Sequence, residues 1–194
     1  LKGKYQRFDL RNHRKLLIVD GVVGFMGSQN IVDRSYNKRR NKKRGLRWQD
    51  LMGRFDGPVV AGFNTVFITD WYTETGELLS HTTEQAARVP RCGALDCQVV
   101  PSGPGFESEN NLRLFLALLY CARDQITISS PYFVPDEAML YALTSATDRG
   151  ISVELFVSEI GDQALVYHAQ RSYYEALLRA GVIVWMYRAP EILH

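Results

Sequence analysis

Among its 194 residues the chain has no apolar run long enough to cross a bilayer. The longest, Leu114 to Ala122, falls far short of the roughly 20 residues a spanning helix needs. It also lacks a signal-peptide pattern and opens on Leu1 rather than methionine, so the parent polypeptide is expected to begin upstream and the sequence reads as a fragment. Cysteine is scarce: Cys92, Cys97 and Cys121 cannot all pair internally, and a domain of this size needs no disulfide, so a reduced compartment is expected. A structural zinc site wants four ligands at short paired spacings. Cys92 and Cys97, with His81, His168 and His194 scattered elsewhere, do not supply them, and no metal is expected. What the chain does have is an ordinary hydrophobic share of 46%, enough for one domain or two closely packed halves.

Acidic residues are missing from one stretch in particular. Arg34, Lys38, Arg39, Arg40, Lys42, Lys43, Arg44 and Arg47 form a block of eight cations with no acid among them, so the net charge of +2 divides into +8 there and 2 − 8 = −6 elsewhere. Asn37, Asn41 and Gly45 break any helical pattern, so the block is either a solvated loop or an anion-binding patch. Beside it stands Trp48, an aromatic suited to a membrane interface.

The pattern along the chain predicts an α/β protein. Lys15 to Val19 and Val22 to Met26 flank Asp20-Gly21 as a hairpin with a tight turn. Gly57-Pro58 opens a helix in which Val59, Phe63, Phe67 and Trp71 recur every fourth residue and should face a core. A polar stretch from about Thr73 to Gly105 then links two halves, 1–88 and 89–194, with the boundary placed near Arg88. Beyond it come a helix 111–123, a strand 126–130, a helix 136–148, a strand 151–157, a helix 163–180 and a strand 182–187. Asp136 is the expected N-cap, and Gly150 and Gly181 stand where helices should stop. Strands separated by helices imply βαβ units and a largely parallel or mixed sheet.

The chemistry concentrates between Asn12 and Asn30. His13, Lys15, Asp20, Gly27, Ser28 and Asn30 stand in the pattern H-x-K-x4-D-x6-G-S-x-N. On a strand, residues two apart share a face, so an imidazole and an ammonium from His13 and Lys15 can converge on one phosphate while Arg14 faces away. Neutral His13 can attack phosphorus and Lys15 can neutralise its oxygens. Ser28 and Asn30, also two apart, can donate hydrogen bonds to them. Asp20 has the opposite parity and follows the strand, so it is expected to brace the turn at Gly21 in a supporting role.

Six specified positions at fixed offsets resemble the signature of the phospholipase D superfamily. The resemblance narrows to the bacterial cardiolipin synthases through Trp48-Gln49-Asp50, Gly57-Pro58-Val59, Ser130-Pro131-Tyr132-Phe133-Val134-Pro135 with Asp136-Glu137, Arg171-Ser172-Tyr173-Tyr174 and Leu177-Leu178. Tyr132 and Phe133, taken singly, suit a core as well as a substrate contact. In that likeness His194 opens a second motif whose remaining residues are not in the sequence, and at a free chain end it is expected to be mobile. A histidine nucleophile also needs its second ring nitrogen held, and Asp50 is the candidate carboxylate.

The resemblance implies a phospholipase D-like mixed sheet flanked by helices in two pseudo-repeated halves, the second truncated. It implies a phosphatidyl transferase that joins two phosphatidylglycerols into cardiolipin and glycerol through a phosphohistidine, using His13 and His194, with no cofactor. The setting is the bacterial cell membrane with the catalytic part facing the cytoplasm, against an anionic membrane surface; nucleic acid is not the expected partner, and no oligomeric state follows. Two alternatives remain: a phosphodiesterase or nuclease of the same superfamily that grips a nucleic-acid backbone with the basic block, and a chain that binds anionic membranes without turnover. The chain alone is expected to be inactive, because only His13 has its supporting residues here.

Overall fold

A computed structural model describes residues 12–36, 38–79, 90, 93–103, 109–161 and 163–194. The chain divides into two compact units, each built from two pieces of sequence: residues 1–30 with 51–110, and residues 31–50 with 111–194. The boundary expected near Arg88 lies outside the described residues. No helix among the described residues is long and apolar enough to cross a membrane.

The first unit holds an antiparallel sheet of β1 (Lys15–Val19), β2 (Val23–Gly27) and β4 (Met52–Asp56), in that spatial order, with helix α2 (Val59–Thr75) against it. The hairpin forms where Asp20-Gly21 predicts it. Val22 N–H donates to the Val19 carbonyl at 3.1 Å, and Asp20 (φ 53°) and Gly21 (φ 69°) both take the left-handed backbone that a right-twisting hairpin favours. Lys15 pairs with Gly27, and Gly27 with Met52.

Helix α2 starts after Pro58 as expected, but its buried face is Val60, Phe63, Asn64 and Val66, while Phe67 and Trp71 are exposed. A four-residue spacing overshoots the 3.6-residue turn by about 40° per step, so by Trp71 the stripe has rotated roughly 120° away from Val59. Glycine lets the helix approach the sheet, since a Cβ on Gly24 would lie 2.5 Å from the Phe63 ring. Phe63 in turn meets Phe55 edge-on, with centroids 5.1 Å apart.

The second unit is built on a parallel sheet ordered β5 (Gln125–Ser129), β6 (Ser152–Ser158), β7 (Ile183–Tyr187). Its helices are α3 (Asn110–Cys121), α4 (Glu137–Asp148), α5 (Ala164–Ser172) and α6 (Tyr174–Arg179). The βαβ alternation read from the sequence is therefore present, and sheets flanked by helices confirm the α/β class. Val153, Leu155 and Val157 of β6 pack with Leu143, Leu177 and Val182 in the core. Phe133 is a core residue as well.

Asp136 caps α4, its Oδ1 accepting from Met139 N–H at 2.8 Å. Gly150 (φ 81°) and Gly181 (φ 90°) follow α4 and α6 in the left-handed conformation predicted for helix stops. Arg149 donates to the Tyr120 and Leu119 carbonyls at 2.8 and 3.1 Å, satisfying the C-terminal end of α3.

Three elements depart from expectation. The helix predicted over 163–180 is broken at Tyr173, where the chain tightens as Tyr173 N–H donates to the Gln170 carbonyl. Gln170 is buried there, accepting from Phe133 N–H and donating to the Tyr174 hydroxyl, both at 2.7 Å. Within the basic block, Arg39–Lys43 forms a one-turn helix, α1, because Asn41 turns inward and donates to the Ser35 carbonyl at 3.0 Å instead of interrupting the turn. Finally, β3 (Arg47–Gln49) and β8 (Glu191–Leu193) make a parallel pair, Arg47 opposite Glu191 and Gln49 opposite Leu193.

Candidate active site

The predicted site residues divide between the units: His13, Lys15, Asp20, Ser28 and Asn30 lie in the first, Asp50 and His194 in the second. In the first unit β1 begins at Lys15, so His13 lies just before the ladder rather than in it. Asn12, His13, Arg14 and Lys15 line a cleft of about 690 Å³ whose walls are largely apolar, among them Leu16, Met26, Phe55, Val59 and Phe63, so Arg14, expected to face away, borders the same cleft. The Lys15 ammonium donates to the His13 carbonyl at 2.7 Å. Asp20 is exposed at the tip of the hairpin, in the turn itself.

Ser28 and Asn30 follow the end of β2. Ser28 makes a reciprocal pair with Leu51: its N–H donates to the Leu51 carbonyl at 2.9 Å and its Oγ accepts from Leu51 N–H at 3.0 Å. Gly27 is required by the same contact, because a Cβ there would lie 2.0 Å from the Leu51 carbonyl oxygen. The Gly-Ser step of the motif thus fixes where β4 begins.

In the second unit His194 is held from several sides. Its Nδ1 is 2.6 Å from Asp50 Oδ1, with the two side chains only 19% and 15% exposed. Its N–H donates to the Gln49 carbonyl at 3.1 Å, and the preceding Leu193 N–H donates to Ser158 Oγ at 2.9 Å. The β3–β8 pairing carries both partners of the Asp50–His194 contact, one at the end of each strand. The mobility expected of His194 is therefore absent: strand pairing and a carboxylate anchor it. The imidazole that Asp50 holds is that of His194.

Sequence reasoning missed Tyr36. Its hydroxyl lies 3.1 Å from His194 Nε2 and 3.2 Å from Nδ1, and its ring meets the imidazole edge-on. It adopts a positive φ of 55°, uncommon for a bulky residue. Trp48 is packed beside it, centroids 4.8 Å apart, and at 3% exposure belongs to a small core with Leu46 and Ile192. That corrects its reading as a membrane-interface aromatic: the β3–β8 pair places it inside.

The eight basic side chains from Arg34 to Arg47 are all exposed, and Arg34, Lys42 and Arg47 border a cavity of about 430 Å³. Asp33 stands at its edge with its carboxyl held below the usual range, chiefly because Ser35 donates to it from both hydroxyl and backbone N–H.

Residues 115–194 match the family of the cardiolipin synthase, PLD-like domain. Over 192 residues, 97% of the chain, it is 35% identical to cardiolipin synthase A of Wigglesworthia glossinidia brevipalpis and 36% identical to that of Serratia proteamaculans. The cardiolipin synthase A of Yersinia pestis is 35% identical over the same share. The chain spans 38 to 39% of the length of these relatives. Over nearly its whole length the chain is thus similar to the cardiolipin synthases A, and its residues 115–194 match their PLD-like domain.

Proposed function

We propose that this chain carries part of the catalytic site of a phosphatidyl transferase that makes cardiolipin and glycerol from two phosphatidylglycerols. One of His13 and His194 attacks the phosphorus of the first lipid through a ring nitrogen. A P–N bond forms, the P–O bond to the headgroup glycerol breaks, and the other histidine gives that glycerol its proton. The same histidine, now a base, removes the proton from a headgroup hydroxyl of the second phosphatidylglycerol, whose oxygen displaces the P–N bond. Lys15 offsets charge on the phosphoryl oxygens, Ser28 and Asn30 donate hydrogen bonds to them, and Asp20 supports the turn.

The observation that carries this proposal is the Asp50–His194 contact at 2.6 Å. A carboxylate on Nδ1 fixes the tautomer, leaves Nε2 as the working nitrogen, and stabilises the positive charge the ring must take whether it attacks or accepts a proton. The apolar walls of the cleft beside His13 suit the acylglycerol part of a lipid better than a sugar.

The test is to supply phosphatidylglycerol vesicles or single-stranded DNA to the complete polypeptide carrying this sequence and identify products by mass spectrometry. Cardiolipin and glycerol in equal amounts are expected, with loss of transfer in His13→Ala. Phosphatidic acid alone, or cleaved DNA, would replace transfer with hydrolysis.

The exposed basic block is proposed to dock on the anionic membrane surface. At about 1 kcal/mol for each Lys or Arg near such a surface, even half of it matters. Replacing Lys38, Arg39, Arg40, Lys42, Lys43 and Arg44 with Gln should weaken binding to phosphatidylglycerol vesicles and flatten its salt dependence. Unchanged binding removes the block from this role.

A further inference from the structure

We propose that Asp70 is a positioning residue for His13, acting through the two residues that flank it; this rests on His13 being one of the two reacting histidines. The ladder of β1 starts only at Lys15, so strand pairing does not fix the backbone at His13. A polar clamp to α2 does so instead. Asp70 Oδ1 accepts from Arg14 Nη1 at 2.7 Å, and Oδ2 accepts from Arg14 Nη1 at 2.9 Å and from Asn12 Nδ2 at 2.8 Å. Asn12 Oδ1 closes the loop by accepting Arg14 N–H at 2.9 Å, and Arg14 Nη2 reaches the Ser102 carbonyl at 2.5 Å.

Two features separate this clamp from an ordinary surface ion pair. Arg14 and Asp70 are about three-quarters buried, at 24% and 26% exposure, so water and salt screen them less than an exposed pair. Its contacts also bracket a single residue: Asn12 and Arg14 are tied to the helix while His13 between them is left exposed on the cleft. Aspartate is a weak helix former, so helix propensity does not account for its place within α2. The clamp also engages the Arg14 guanidinium, although Arg14, like Lys15, lines the cleft. A displacement of the reacting group by about 1 Å can cost on the order of a hundredfold in rate, which sets the scale of what the clamp protects.

The test uses the complete polypeptide with phosphatidylglycerol vesicles. Asp70→Asn should lower kcat for transfer by roughly ten- to a hundredfold while KM stays within about threefold, because the substrate-facing groups are unchanged. Combining it with Arg14→Gln should cost little more than either change alone, since both break one device. Asn12→Ala, which removes one arm of the clamp, should give a smaller loss of kcat and covers the case in which Asp70→Asn does not fold. Wild-type kcat in folded Asp70→Asn and Asn12→Ala, or additive losses in the double variant, would overturn the clamp. His13→Ala separates the two levels: if it alone leaves transfer intact, the role of His13 fails; if it abolishes transfer while the clamp variants do not, only the role of Asp70 fails.

Discussion

The two histidines are held in different ways. His194 is fixed through its own ring, by Asp50 on Nδ1, and by a strand that pairs with β3 and is pinned to Ser158. His13 is fixed through its neighbours: its ring has no hydrogen-bond partner among the described residues, and the structure acts on Asn12 and Arg14 instead. Ring fixation selects a tautomer as well as a position. Flank fixation selects a position only and leaves the tautomer to the solvent or the substrate. The same side chain is thus prepared to different degrees in the two units, and substitutions should expose the difference.

The largest effect is expected from Asp50→Asn. Asparagine keeps the size but can donate to Nδ1 through its amide, which moves the ring proton to Nε2 and blocks the nitrogen proposed to react. Transfer should fall by roughly two to four orders of magnitude with the fold retained, checked by initial rates and a circular dichroism spectrum. A rate within tenfold of wild type would mean that Asp50 only anchors the end of β8, and the contrast between the two histidines would collapse into two kinds of anchoring.

Next comes Gly27→Ala, which attacks the first unit where its backbone is tightest. The added methyl would meet the Leu51 carbonyl oxygen at 2.0 Å and the Met52 Cα at 2.8 Å, and neither backbone atom can yield without opening the β2–β4 register. Overpacking of this kind costs about 1–3 kcal/mol. Hydrogen exchange should report it as lost protection in β1, β2 and β4 with β5, β6 and β7 unchanged. Equal loss in both sheets would show that the units open as one.

Much of this architecture was legible because it is local. Asp20-Gly21 specifies a turn by its own backbone preferences, Asp136 caps the residues that follow it, and the βαβ alternation of the second unit is carried by periodicity. The parts that were not legible depend on distant partners. Three-residue strands such as β3 and β8 have no period to detect, and their pairing joins positions more than 140 residues apart. Asn41 looks like a helix breaker until Ser35 supplies an acceptor, and Trp48 looks interfacial until Ile192 covers it. At the site, residue types and spacing pointed to His13 and Lys15 and the family resemblance to Asp50, whereas the partner of Asp50 and the presence of Tyr36 depend on the strand pairing. Nothing local in the sequence marks Tyr36, since one tyrosine before a basic run has no spacing relation to a histidine 158 residues away.

The smallest effect belongs to Tyr36→Phe, and it tests which group prepares His194. The hydroxyl lies within hydrogen-bond distance of both ring nitrogens, but Asp50 is closer to Nδ1, 2.6 against 3.2 Å, and a carboxylate is the stronger acceptor for the proton there. That leaves the tyrosine O–H to donate toward Nε2, a bond that under the proposed mechanism ends once Nε2 bonds to phosphorus or takes a proton. Phenylalanine keeps the ring that packs on Trp48 and loses one hydrogen bond, which should lower stability by about 1 kcal/mol and change the transfer rate by less than about tenfold. Melting temperature and initial rates on the same preparation check both. If Tyr36→Phe lost as much activity as Asp50→Asn, the hydroxyl would be handling the proton at Nε2 itself, and His194 would depend on the phenol as much as on the carboxylate.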